Sequence, residues 1–217
     1  MNQNLTELVV ILDMSGSMRP LWSDTIGGFN ALVEEQKKAE GDAILTTVFF
    51  DDRYIVFHDR EDIQKVALLT DRDYRPRGMT AMLDAVGRTI TSVGERLAQM
   101  SEEERPGKVM VTIVTDGYEN ASKEYTWDTV QAMIKEQREK YSWIFTFIGA
   151  DIDVKKVSED LGIDSRLAKT YTKSSAGTAS VYHTVAKAMS YRRSSVSNSV
   201  SESACVDSLS EILDDIE

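Results

Sequence analysis

The run Leu8-Val9-Val10-Ile11-Leu12-Asp13-Met14-Ser15-Gly16-Ser17 joins a continuous apolar segment to a short polar loop. A short apolar run without alternation is typical of a strand that is buried on both faces of a sheet. Residues 43–50, 109–114 and 143–148 have the same character. Because such strands occur mainly in parallel sheets covered by helices, these runs together predict an α/β fold.

Helical patterns separate the predicted strands. Residues 126–140, 154–161 and 178–191 read as helices, and residues 167–172 as a last strand. A further helix face is indicated by apolar residues spaced by three and four: Leu83, Val86, Ile90, Val93 and Leu97. The alternation predicts a doubly wound, mostly parallel sheet with helices on both faces.

One connection departs from this alternation. Between the strand at 43–50 and the apolar residues 54–57 only Asp51-Asp52-Arg53 intervenes, which leaves no room for a crossover helix. A short polar turn of this kind joins antiparallel strands. Residues 54–57 are therefore predicted to return as an antiparallel edge strand.

Composition and charge narrow the classes of function. The 217-residue chain contains 25 Lys and Arg against 36 Asp and Glu, a net charge of -11. Because phosphate contacts depend on clustered cations, we expect neither nucleic acid nor an anionic membrane as partner. The single Cys205 excludes an internal disulfide and fits a reducing compartment. No apolar run approaches the ~20 residues of a membrane span, and the polar N-terminus lacks a signal peptide, so we expect a cytoplasmic protein.

The end of the chain has a different composition. We expect one domain over residues 1–193 and a separate segment over residues 194–217. The serine-rich stretch 194–203 has too little apolar surface to pack and is predicted to be a flexible linker. Ser208 and Glu211 have capping-box spacing, which predicts an acidic amphipathic helix after the linker. Such a tethered helix could dock on a second copy of the chain and present a carboxylate to it.

Oxygen-bearing side chains follow the predicted strands at their carboxyl ends. In open parallel sheets, ligands bind beyond these ends at the point where the strand order reverses. Two carboxylates and three hydroxyls form the candidate set: Asp13, Ser15, Ser17, Thr80 and Asp116. All-oxygen sets suit hard cations, and the small number of carboxylates favours Mg²⁺ over Mn²⁺ or Ca²⁺. A dication held by two carboxylates would stay electrophilic towards an incoming acidic side chain.

The order of these residues resembles the metal-ion-dependent adhesion site (MIDAS) of von Willebrand factor type A (VWA) domains. The resemblance covers about residues 5–191, and its motifs also resemble small stand-alone bacterial and phage proteins of this type. It implies a six-stranded sheet with one antiparallel edge strand. It also implies that Ser15, Ser17 and Thr80 contact the metal directly, with Asp13 and Asp116 close by. The implied function is metal-dependent protein binding without catalysis, through an Asp or Glu of the partner.

Several residues near the set have two interpretations. Trp22 and Arg77 could belong to a partner-binding rim, or they could be a packing residue and a solvated cation. Glu119 and Asn120 could extend the rim or cap a helix, and Thr80 could cap the helix that follows it.

Two alternative functions are a Mg²⁺-dependent phosphohydrolase and a VWA subunit of a larger complex. A phosphohydrolase of the haloacid dehalogenase type places a second Asp where this chain has Ser15. Nucleotide hydrolysis at a P-loop is excluded, because the sequence contains no P-loop motif. A VWA subunit of a larger ATPase, chelatase, metal-resistance or defence complex would differ from a stand-alone binding module only in its partner.

Overall fold

Six strands and six α-helices occur in the computed structural model, which describes residues 1–195 and 202–216. The strands are β1 (Asn2–Asp13), β2 (Asp42–Phe50), β3 (Tyr54–Asp62), β4 (Pro106–Thr115), β5 (Ile144–Gly149) and β6 (Ala168–Thr170). The helices are α1 (Trp22–Lys38), α2 (Met82–Gln99), α3 (Trp127–Tyr141), α4 (Val154–Leu161), α5 (Ser175–Ser194) and α6 (Glu202–Leu213).

The six strands form a single sheet in the order β3-β2-β1-β4-β5-β6. All neighbours are parallel except β2 and β3, which pair antiparallel at the edge. The predicted sheet and its hairpin are thereby confirmed. From β1 the chain adds strands first on one side and then, from β4 onwards, on the other. The strand order therefore reverses between β1 and β4, which is where a ligand site is expected.

Each face of the sheet carries its own apolar core. On one face, residues of α1, α5 and α6 pack against β1 and β2, and on the other α2, α3 and α4 pack against β4 and β5. In β1, Leu8 and Val10 face the first core while Val9 and Ile11 face the second. Burial of alternate side chains on both faces explains why these strands are continuously apolar.

Helix α1 is not among the helices predicted from the sequence. Its buried residues Phe29, Leu32, Val33 and Gln36 recur at helical spacing, but the adjacent Gly27 and Gly28 weaken the pattern. Gly28 has a packing reason, because a Cβ there would lie 2.2 Å from the ring of Tyr182 on α5. The two helices therefore approach each other closely at this glycine.

The described part of the C-terminal segment folds back on the domain. Val206, Leu209 and Leu213 of α6 are buried in the core that α1 and α5 share. Two ion pairs flank this face, Arg166 to Asp207 at 2.5 Å and Lys169 to Asp214 at 2.5 Å. The helix begins at Glu202, so the expected start at Ser208 is wrong; Ser208 lies inside the helix. Most of the predicted serine-rich linker, residues 196–201, lies outside the described residues.

Candidate metal centre

The first loop of the candidate site begins where β1 ends. Asp13 is the last residue of β1, and its two carboxylate oxygens accept hydrogen bonds from the Ser15 amide and the Thr115 hydroxyl, both at 2.6 Å. Asp13 is fully buried, and this burial raises its pKa to about 6 against the opposing effect of the two hydrogen bonds. At neutral pH, an ionised carboxylate at this position therefore destabilises the folded protein unless a cation lies beside it.

The hydroxyl groups extend from Asp13 towards Asp116. The Ser15 and Ser17 hydroxyl oxygens are 3.0 Å apart, and the Ser17 hydroxyl donates to Asp116 at 2.5 Å. Asp116 follows directly after β4 and is itself buried. The ends of the two strands next to the switch point thus bring together residues that lie about one hundred positions apart in the chain, as the sequence predicts.

Gly117 lies where three members of the set approach one another. A Cβ at this glycine would lie 3.3 Å from the hydroxyls of both Ser17 and Thr80, and 4.0 Å from an Asp13 carboxylate oxygen. Ser15 and Asp116 adjoin these three through the Ser17 hydroxyl, which is hydrogen-bonded to both. An all-oxygen donor set of this kind fits a small hard cation.

The set depends on hydroxyl groups as much as on carboxylates. Among the residues that the structure describes, no group of three or more His, Cys, Asp or Glu side chains is placed to hold a metal ion. A cation bound by Asp13 and Asp116 would therefore draw its other ligands from the three hydroxyls and from water.

The loop that carries Thr80 is joined to the Asp13 loop by main-chain contacts. The buried Tyr74 donates its hydroxyl to the Asp13 carbonyl at 2.5 Å, and the Arg77 amide donates to the Met14 carbonyl at 2.8 Å. Gly78 has φ 72°, and a Cβ there would meet the Asp52 carboxylate at 2.2 Å. A glycine is thus required where this loop approaches the turn between β2 and β3. Tyr74 was not singled out in the sequence, since an isolated tyrosine in a polar loop carries no pattern.

Residues assigned to the rim occupy different positions. Trp22 is the first residue of α1, and its ring packs against the core on that face. Arg77 is largely exposed, with its Nε 3.4 Å from the Asp51 carboxylate. Asn120 binds the Thr80 amide at 2.9 Å through its side chain. Glu119 accepts the amide of Leu83, in the first turn of α2, at 2.9 Å.

Through these contacts Asn120 positions the Thr80 loop, and Glu119 positions the start of α2. Glu119 also accepts the Ala121 and Ser122 amides, so its carboxylate is enclosed by donors. The first amides of α2 are bound by Glu119 and by the Ser122 hydroxyl, so the capping of this helix comes from across the loop. Two exposed apolar side chains lie beside the motif instead, Met79 and Tyr118, each 55% exposed.

A lysine that the sequence did not single out reaches the site. Lys173, in the loop between β6 and α5, has its ammonium 2.6 Å from Asp116 and 3.4 Å from Asp151. Burial lowers the pKa of Lys173, but the bonds to these carboxylates outweigh it and raise the pKa overall. No spacing rule could have revealed this contact, because β6 must pair with β5 before the loop reaches Asp116.

Known proteins resemble this chain in fold rather than in sequence. Neither protein-family models nor curated proteins match the chain by sequence. Among solved structures, proximal thread matrix protein 1 from the mussel byssus, with a zinc-occupied MIDAS motif, is 18% identical with a TM-score of 0.58. The match covers 85% of this chain and 46% of that one.

Two bacterial structures show the same likeness. A von Willebrand factor type A protein from Catenulispora acidiphila is 14% identical with a TM-score of 0.53, covering 83% of this chain and 42% of that one. The open form of the pilus adhesin SpaC from Lactobacillus rhamnosus GG is 14% identical with a TM-score of 0.59, covering 86% and 30% respectively. The chain has the VWA fold and spans less than half the length of each of these structures.

Proposed function

We propose that this protein is a metal-ion-dependent protein-binding module. Asp13, Ser15, Ser17, Thr80 and Asp116 would hold a divalent cation, Mg²⁺ before Mn²⁺ or Ca²⁺. The cation would offer its open position to an Asp or Glu of a protein partner. The observation that carries the proposal is the approach of the Ser17 and Thr80 hydroxyls and the Asp13 carboxylate at Gly117. Ser15 and Asp116 join this group through hydrogen bonds with Ser17, at the reversal point of a VWA-type sheet.

The surroundings of the site suit a protein partner. Met79 and Tyr118 are exposed next to Thr80 and Asp116, where large side chains can supply contact area around a central bond. Proteins of this fold include a byssus matrix protein and a pilus adhesin. A VWA subunit of a larger ATPase, chelatase, metal-resistance or defence complex would use the same chemistry with a different partner.

The phosphohydrolase alternative has less support. Both carboxylate oxygens of Asp13 accept hydrogen bonds from the loop, and the side chain is fully buried. A nucleophile must instead present a free oxygen to its substrate. Mg²⁺-dependent phosphatase turnover that is lost in Asp13→Ala would favour the enzyme over the binding module.

Partner choice and location extend the proposal. Self-association through the tail would require α6 to leave its own domain, because its apolar face is buried there. Within the described ranges, none of the helices combines the length and apolar content needed to cross a bilayer. The net charge and the single cysteine support our proposal of a cytoplasmic protein without nucleic-acid partners. Its proposed bacterial or phage origin rests on the resemblance of its motifs to small stand-alone VWA proteins.

A Thr80→Ala variant tests the proposal. The substitution removes one direct oxygen ligand, so Mg²⁺ binding measured by calorimetry should weaken. The expected loss of affinity is about tenfold or more, and a tenfold loss corresponds to about 1.4 kcal/mol of binding free energy. Thr170→Ala, at an exposed threonine on β6, is the matched control and should bind like the wild type. Retention of an acidic partner on the immobilised protein should be lost with EDTA and with Thr80→Ala. Equal Mg²⁺ affinity of all three proteins would contradict the proposal.

A further inference from the structure

The candidate metal centre contains a positive charge of its own. Asp116 is buried, and in the described residues the cation beside it is the Lys173 ammonium, at 2.6 Å. The Lys173 side chain is 22% exposed, so the pair is partly shielded from water. Because an ammonium and a dication compete for the same carboxylate, the pair bears directly on how the site takes up metal.

The same ammonium has a second acceptor within reach. The Asp151 carboxylate lies 3.4 Å from the Lys173 ammonium, and its side chain is 63% exposed. Asp151 follows β5 in a left-handed conformation with φ 55°, which asparagine and aspartate adopt more easily than most residues. Lys173 therefore lies between a buried carboxylate of the metal set and an exposed carboxylate outside it.

We infer that Lys173 is a built-in competitor of the metal: it pairs with Asp116 in the metal-free protein and transfers to Asp151 when a divalent cation binds. The inference rests on the proposed function, since it assigns a regulator to the same site. In the metal-free state the ammonium compensates the buried Asp116 charge. Metal binding replaces that compensation, and Asp151 receives the displaced ammonium. The site is thereby tuned to a weaker affinity than its oxygen ligands alone would produce.

Lys173→Met tests the competition directly. Without the ammonium, the metal-free state keeps an uncompensated buried carboxylate, so Mg²⁺ should bind about tenfold more tightly by calorimetry. The same variant should have a lower unfolding temperature in EDTA and a larger rise on addition of Mg²⁺. Lys169→Met is the matched control, because Lys169 is 19% exposed and paired with Asp214 rather than with the site. Its Mg²⁺ affinity should equal that of the wild type.

A double-mutant cycle separates the transfer from a general effect of charge. Asp151→Asn removes the second acceptor and should weaken Mg²⁺ binding in the wild type. In the Lys173→Met background the same change should have almost no effect, because no ammonium remains to be received. If Asp151 acted on the bound cation directly rather than through Lys173, the effects of the two changes would instead be additive.

The outcomes also distinguish this inference from the proposed function. Unchanged or weaker Mg²⁺ binding by Lys173→Met, with Thr80→Ala still impaired, would overturn the competition and leave the binding module intact. Additive effects of Lys173→Met and Asp151→Asn would overturn the transfer. Failure of every variant and of the wild type to bind Mg²⁺ would overturn both proposals. Tighter binding by Lys173→Met together with a non-additive cycle is the result expected.

Discussion

Buried charge is the dominant feature of this protein at the scale of single residues. Asp13 and Asp116 lie at the ends of adjacent strands; Asp13 accepts the Thr115 hydroxyl, and Asp116, the next residue, accepts the Ser17 hydroxyl. The Thr115 hydroxyl and the Ser15 amide stabilise the Asp13 carboxylate only in part, as its raised pKa shows. Binding sites commonly retain such local destabilisation, because a ligand relieves it and thereby gains affinity.

The pH dependence of stability should reveal the burial of Asp13. Its pKa rises from 3.8 to about 6 in the native metal-free protein. The native state then holds the proton more tightly than the unfolded chain. The group's favourable contribution is thus complete below pH 3.8 and is lost as the pH rises through about 6. Because one pKa unit corresponds to 1.36 kcal/mol, the loss should be about 3 kcal/mol.

Asp13→Asn isolates this effect. The amide that replaces the Asp13 carboxyl group does not titrate in this pH range. In EDTA, the free energy of unfolding of the variant, measured in urea, should therefore rise relative to that of the wild type as the pH increases from 4 to 7. Asp71→Asn, on an exposed loop, should follow the wild-type profile. Parallel pH profiles for Asp13→Asn and the wild type would show that Asp13 is not buried as an unpaired acid.

At the scale of secondary-structure elements, helix α6 determines how far the domain extends along the chain. Its residues Val206, Leu209 and Leu213 complete the core on the face of α1 and α5, and ion pairs on both sides orient it. Asp215 adds a third pair with Lys187 of α5 at 3.5 Å. Of the acidic residues at this end of the chain, Asp214 and Asp215 are therefore paired with lysines of the same chain.

Leu209→Ala tests the contribution of α6 to stability. Leu209 is fully buried, and truncating a buried leucine typically costs about 2–5 kcal/mol through lost apolar contact and the remaining cavity. The free energy of unfolding in urea should fall by that amount. Glu211→Ala, on the exposed side of the same helix, should stay within about 0.5 kcal/mol of the wild type. Equal values for the two variants would mean that α6 does not unfold together with the domain.

At the scale of the whole molecule, the candidate metal site lies between the two halves of the sheet. Asp13 belongs to the half built outward from β1 through β2 and β3, and Asp116 to the half built from β4 through β5 and β6. A cation between them would bridge halves that are otherwise connected through the pairing of β1 and β4. Metal removal should therefore affect global stability as well as partner binding.

Mg²⁺ should raise the thermal stability of the whole domain. A ligand present at one hundred times its dissociation constant stabilises the native state by about 2.7 kcal/mol. For a domain of about 200 residues this corresponds to roughly 5–10 °C in the unfolding temperature. Scanning calorimetry with Mg²⁺ and then with EDTA should show this shift for the wild type. Thr80→Ala, with about tenfold weaker binding at the same Mg²⁺ concentration, should show about half of it or less. A shift of equal size in Thr80→Ala would place the stabilising cation elsewhere.

The sequence by itself determined the alternation of strands and helices, the antiparallel edge and the candidate residues of the site. Continuous apolar runs, helical spacing and the short turn at Asp51-Asp52-Arg53 are local signals, and each reports the burial of its own segment. The oxygen donors could be selected because they directly follow predicted strands, whose carboxyl ends meet at one edge of a parallel sheet.

Only the tertiary structure decided which groups surround those donors. Lys173, Tyr74 and Glu119 reach the site or its supporting loops across the fold, and their contacts depend on strand order and loop approach. The place of α6 was likewise decided by packing, since its apolar stripe fits a partner or its own domain equally well in sequence. The physical reason is that long-range contacts arise from the pairing of whole elements, and local patterns carry no record of the neighbours that pairing supplies.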